Sequence, residues 1–391
     1  MDQELVCLSL RGLLVLINVS RRRSDAHLAW RGQFQTVPLP DLNYEKLEQY
    51  ANEWTLLLKQ RMHDPDDAHA KALNVLRWLF EALAKPVLDV FHVLEATDSM
   101  HHHAISQKPN RVWWITGGFL SWFPLHATGL YKETDGVNTP TMVMDKVISS
   151  YAPTVQCLLH SLKRLEQIPP IQRNDLSKAL VVCMPETNGE SPLANAKTEA
   201  ANVQQQFSLA RITTQLLESP TRDHVLSSMS TASFVHFACH GRSDPNDPLR
   251  SSLLLQDCKT NPLDLKVITE QRLPKAQLAY LSACETSKVQ ARSFLNESLH
   301  IASAFQIAGF PHVVGTLWQL TDEVAEEAAR TFYEGVFSVW ESLDESGQGV
   351  EELVLDLNGQ RVAAALHSTL QKLREVSGNI FDWAPLIHLG G

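Results

Sequence analysis

The chain has 391 residues, 44% of them hydrophobic and 20% charged, with a formal net charge of −10 from 34 Lys and Arg against 44 Asp and Glu. That length suits two domains and a large core; the acidic balance argues against general nucleic-acid binding, and no apolar run approaches the ~18 residues that cross a bilayer. Six cysteines without C-x-x-C spacing, and no signal-peptide pattern at the start, predict reduced thiols in a cytoplasmic protein.

The first element is an apolar run from Gly12 to Ser20, rich in β-formers and read as a buried strand. Arg21, Arg22 and Arg23 then read as a solvated turn. A helical region follows from about Pro65 to Glu95, with Asp64 as its cap, Pro65 in its first turn and apolar residues at Leu73, Leu76, Leu79, Phe80 and Leu83. Pro86 is expected to kink or divide it. The three histidines 101–103 have no Cys or acid at ligand spacing, and no metal is expected there or elsewhere.

Arg111–Gly118 reads as a strand ending in a glycine turn, and Phe123–Tyr131 as a compact return in which His126 is a hydrogen-bonded core histidine. A Pro-rich, charged stretch from Ile168 to Ser177 separates this half from the next, which sets domains at 1–170 and 171–391.

The second half alternates. Strands are expected at 179–184, 211–217, 235–240, 278–284, 311–317 and 385–389. Between them lie helices at 196–207, 221–229, 297–308, 322–340 and 359–376, and a strand-like Ser252–Leu255 within a longer excursion. Repeated β-α-β units with apolar strands imply an α/β fold, a mostly parallel sheet covered by helices on both faces.

Two of those strands run into reactive side chains. Val235–Cys239 leads to His240 and Gly241, and Leu278–Ala283 leads to Cys284. Ligands of open α/β sheets bind at the carboxyl ends of the strands. An imidazole beside a thiol raises its thiolate fraction, the minimum apparatus of a cysteine hydrolase. The backbone N–H groups of Gly241 and Cys284 are candidates for an oxyanion hole. Cys239, facing away from His240, reads as core. Taken singly, a buried Cys and a strand-terminal His each have an ordinary structural explanation, and the residues alone leave both readings standing.

An ordered set of phrases goes further: Val235–Gly241, Ser251–Leu255, Leu281–Thr286, Ala302–Phe310, Val313–Trp318 and Trp383–Pro385, with Trp113–Trp114 and Phe123–Ala127 upstream. Together they resemble the CHAT domain, a caspase-like peptidase module of clan CD related to separase and more distantly to caspases and gingipains. The resemblance implies a caspase-like three-layer αβα sandwich, preceded by a degenerate caspase-like subdomain, with His240 and Cys284 as a catalytic dyad for peptide bonds and no cofactor. It implies protein or peptide substrates, and a sensor or repeat-domain partner that relieves latency, since no such domain is seen in this chain. The alternative is a catalytically silent interaction or scaffold module. Separase-like relatives select a basic P1 residue with an acid after the Leu-Trp phrase; Asp322, Glu326 and, elsewhere, Asp257 are the candidates here, and specificity stays open.

Overall fold

A computed structural model describes residues 3–102, 110–131, 141–169, 171–172, 178–242, 244, 247–282, 301–338, 354–355, 357 and 360–391. Cys284 and Glu285, and the side chains of the 101–103 histidines, lie outside the described residues. The chain forms two compact units, the first running to Val155 and including Asn379–Ala384, the second built from Gln156 onward.

In the first unit, β1 (Leu13–Val19), β2 (Ser24–Trp30), β3 (Gln33–Pro38), β4 (Asn110–Ile115) and β5 (Val147–Ala152) lie in the order β5-β4-β1-β2-β3. β5, β4 and β1 run parallel, and β2 and β3 are added by antiparallel hairpins. The basic triplet is the turn between β1 and β2, solvated as its sequence predicts. Helices α1 (Tyr44–Gln60), α2 (Pro65–Leu79) and α3 (Lys85–His102) belong to this unit. Asp64 caps α2 by accepting the N–H of Asp67 at 3.2 Å. Pro86, which lacks an N–H, sits just after a π-helical turn at Phe80–Ala84. The widened turn absorbs the missing hydrogen bond, so the helical path is divided there rather than ended.

The second unit carries β6 (Lys178–Cys183), β7 (Thr213–Glu218), β8 (Phe234–Ala238), a short β9 (His240–Arg242), β10 (Ser252–Leu254), β11 (Leu263–Asp264), β12 (Leu278–Leu281), β13 (His312–Thr316) and β14 (Leu386–Gly390). Its main sheet has the order β7-β6-β8-β12-β13-β14, parallel throughout except for β14, which returns antiparallel to β13. Helices α4 (Ala196–Leu209), α5 (Arg222–Met229), α6 (Ile301–Ala308), α7 (Asp322–Phe337) and α8 (Arg361–Ser377) connect these strands.

Strand alternation assigns the faces. His236 on β8 meets Glu199 of α4 and Tyr333 of α7, while its neighbour Phe237 packs on Phe305 of α6 at 5.5 Å between ring centres. One sheet therefore lies between two helical layers, the α/β sandwich that the alternating pattern implies. Gly309 makes the return from α6 to β13: its φ of +124° is open to glycine, and a Cβ there would lie 2.9 Å from the carbonyl oxygen of Leu273.

Candidate active site

Three central strands of the second unit stop along one line. Ala238 pairs with Cys183, and Phe237 pairs with Leu281, so β6, β8 and β12 release their chains at the same carboxyl edge. Ser282, two residues before Cys284 in the sequence, follows β12 at this edge.

His240 does not end β8, as the apolar run suggests. β8 stops at Ala238, and His240 opens β9, which pairs antiparallel with β10 (His240 opposite Leu254, Gly241 opposite Leu253). The physical reason is the end of the neighbours: among the described residues the pairing of β8 with β6 and β12 runs no further than Cys183 and Leu281, and the chain takes the partner at Ser252–Leu254 instead. Cys239, between the two strands, is fully buried.

The His240 ring is buried, and its Nε2 lies 2.8 Å from the carbonyl oxygen of Ser191. A carbonyl only accepts, so Nε2 carries the proton and donates it. In the neutral ring Nδ1 then keeps its lone pair, and among the described residues none bonds it. That is the protonation pattern of a general base. The Ser191 carbonyl is a functional group that sequence reasoning missed, since a main-chain oxygen leaves no residue signature.

A small pocket adjoins the edge, lined by Ala238, Ser282, Glu199, Leu320 and Asp322 among others. It lies at the first turns of α4 and α7, where acids are favoured by the helix dipole. Glu199 is buried, with Oε1 3.0 Å from Nε2 of His236 in a contact that lacks hydrogen-bond alignment. His236 stacks on Tyr280 at 5.1 Å, and its Nδ1 is 3.4 Å from the Tyr333 hydroxyl. Burial, reinforced by the nearby Glu199 carboxylate, drives both phenols well above their ordinary range. His236 thus belongs to the layer between sheet and helices.

Of the three acids expected at a specificity pocket, Asp322 lines this one. Glu326, one turn on, accepts the Asn202 amide at 2.9 Å. Asp257 accepts the N–H of Arg222 at 2.9 Å and the Asn261 amide at 3.3 Å. It supplies the start of α5 with the cap that the side chain of Thr221, though at the N-cap position, does not provide. Among the described residues no group of three or more His, Cys, Asp or Glu side chains is arranged to hold a metal. No described helix is long and apolar enough to cross a membrane.

The model of the CHAT domain matches residues 73–391. The chain belongs to the CHAT domain family. This CHAT protein is similar in structure to the separase of the Saccharomyces cerevisiae separase–securin complex, with a TM-score of 0.61 at 12% identity over 99% of this chain. A second structure of that complex gives 0.57 at the same identity and coverage. The CHAT chain spans 30% of the separase chain, well under two thirds of its length. The Arg specific cysteine proteinase gingipain R is a more distant likeness, with a TM-score of 0.45 at 12% identity over 72% of this chain and 62% of that one. No curated protein sequence matches the chain. At such identities the separase likeness establishes the fold, a caspase-like α/β architecture with a large, mostly parallel sheet.

Proposed function

We propose that this CHAT chain is a cysteine endopeptidase working through His240 and Cys284. One observation carries the reading: Ala238 and Ser282 border the same pocket, and His240 and Cys284 each follow one of them by two residues. Two peptide units carry the Cys284 Cα no more than about 7 Å from that of Ser282. In the proposed reaction Nδ1 of His240 takes the thiol proton and the Cys284 sulfur attacks the scissile carbonyl carbon. The backbone N–H groups of Gly241 and Cys284 hold the oxyanion. Collapse breaks the C–N bond, the imidazolium gives its proton to the leaving amine, and water then hydrolyses the thioester.

The pocket beside the dyad is the proposed S1 site, and Asp322, rather than the buried Glu199 that also lines it, is the proposed specificity acid. Its carboxylate suits a basic P1 side chain through a charge-assisted pair. Glu326 and Asp257, already engaged elsewhere, fall outside that role. The proposed setting is cytoplasmic, with protein substrates and a protein partner that relieves latency. The first 170 residues are proposed as a degenerate, non-catalytic copy of the module that begins at 171.

The test is hydrolysis of a peptide library by the purified chain, with labelling by a thiol-reactive peptide probe. Cys284→Ala is expected to abolish both, and Cys239→Ala to leave both largely intact. Cleavage that survives in the Cys284 variant removes the peptidase reading. Silence with every substrate and activating partner favours the scaffold alternative.

A further inference from the structure

The loop that joins β6 to α4 crosses the His240 ring. It is tied at its start by the Met184 N–H to the Ala238 carbonyl (2.9 Å), and closed on itself by the Leu193 N–H to the Pro185 carbonyl (2.9 Å). The Leu193 side chain is buried beneath it. Between these ties most of the loop is exposed, and it is there that Ser191 presents its carbonyl to His240. The Glu190 N–H also bonds the Thr187 carbonyl (3.0 Å), closing the turn that precedes Ser191, but none of these three ties bonds Ser191 itself.

A side-chain contact reaches the same turn. Arg242 follows His240 by two residues on β9, so both side chains leave the same face of the strand. The Arg242 Nη2 lies 2.6 Å from Oε1 of Glu190, the residue immediately before Ser191. Pro192, immediately after, biases Ser191 toward an extended backbone. Two consecutive loop residues therefore meet two same-face strand residues as adjacent rungs, one an ion pair and the other the histidine–carbonyl bond.

We propose that Glu190 and Arg242 are positioning residues for His240: their ion pair holds the Ser191 carbonyl on Nε2–H and so keeps Nδ1 as the proton acceptor. The catalytic consequence rests on the dyad reading above, whereas the effect on the imidazole does not. Arg242 is 53% and Glu190 31% exposed, so the pair is screened by salt. Exposed pairs are worth a fraction of a kcal/mol up to about 1 kcal/mol, which sets the expected effect at roughly two- to fivefold.

The experiment uses the full chain labelled with 15N-histidine, with His240→Gln to assign the ring signals. The Nε2–H form of His240 is expected in the wild type at low salt. Glu190→Gln and Arg242→Gln are each expected to move it toward a mixture of tautomers. They are also expected to slow Cys284 alkylation by about two- to fivefold at unchanged melting temperature. The exchanged pair Glu190→Arg with Arg242→Glu is expected to restore both, and sodium chloride to reproduce the single-variant effect in the wild type alone. His240 signals that stay the same in both single variants overturn the proposal. Signals that respond while the wild-type Cys284 reacts no faster than a free thiol uphold the positioning role and count against the peptidase reading.

Discussion

Each unit carries a buried histidine in the segment that follows a central parallel strand: His126 after β4 in the first and His240 after β8 in the second. The two rings hold the same tautomer for different reasons. The Tyr151 hydroxyl accepts the backbone N–H of His126 at 3.1 Å, so its own proton goes to Nδ1 of that ring at 2.8 Å. The lone pair is consumed, the ring is 2% exposed, and Trp383 packs against it at 6.3 Å. In His240 the contact falls on Nε2, and among the described residues none bonds Nδ1. Under the proposed function, a histidine serves as a structural peg or as a base according to which nitrogen its neighbour occupies.

The sharpest way to break this contrast is to remove each ring in turn. His240→Gln is expected to lower peptide hydrolysis by about 10²- to 10⁴-fold, the worth of a positioned base. His126→Gln is expected to leave the rate within a few-fold of the wild type. Equal losses of activity at equal stability would erase the distinction.

Next in size is stability. Tyr151→Phe removes the donor to His126 and the acceptor of its N–H, both buried, and is expected to cost about 1–3 kcal/mol in urea unfolding. Hydrolysis at a temperature where the variant is folded should not change.

Alkaline pH sharpens the comparison, because buried phenols lie in both units. Burial raises the pKa of Tyr151, Tyr280 and Tyr333 above the ordinary 10, so ionisation there favours the unfolded chain. Their contribution is fully present below pH 10 and is lost as pH climbs beyond it. Stability should fall across that range, with these three of the six tyrosines showing phenolate absorbance only on unfolding.

The smallest effect concerns two thiols, Cys7 in the first unit and Cys183 at the end of β6 in the second. Burial, with help from Glu218 and Glu199, pushes the Cys183 thiol up to about 11. At pH 8 iodoacetamide should therefore modify exposed Cys7 well before Cys183, as followed by peptide mass mapping. Rapid alkylation of Cys183 in the folded chain would contradict its burial.

Much of this was legible from residue order. The apolar runs ending near Ala238 and Leu281, the intervening helices, the Asp64 cap and the core setting of His126 follow from periodicity and local chemistry, which act within a few residues. The hairpin of β2 and β3 and the strand β5 went unread, because their residues alternate weakly and owe their state to packing; helix α1 went unread despite the Asn43 side chain that caps it. The antiparallel return of β14 was equally hidden: an apolar strand carries no sign of its direction.

By itself, then, the sequence determined the alternation of strands and helices and named His240 and Cys284 as the residues to watch, since short-range patterns encode both. Only the tertiary structure decided that β8 stops at Ala238, that Ser191 offers its carbonyl to His240, and that Asp322 rather than Glu326 or Asp257 lines the adjoining pocket. Those outcomes depend on where distant segments end and on main-chain atoms common to every residue, which no pattern of side chains records.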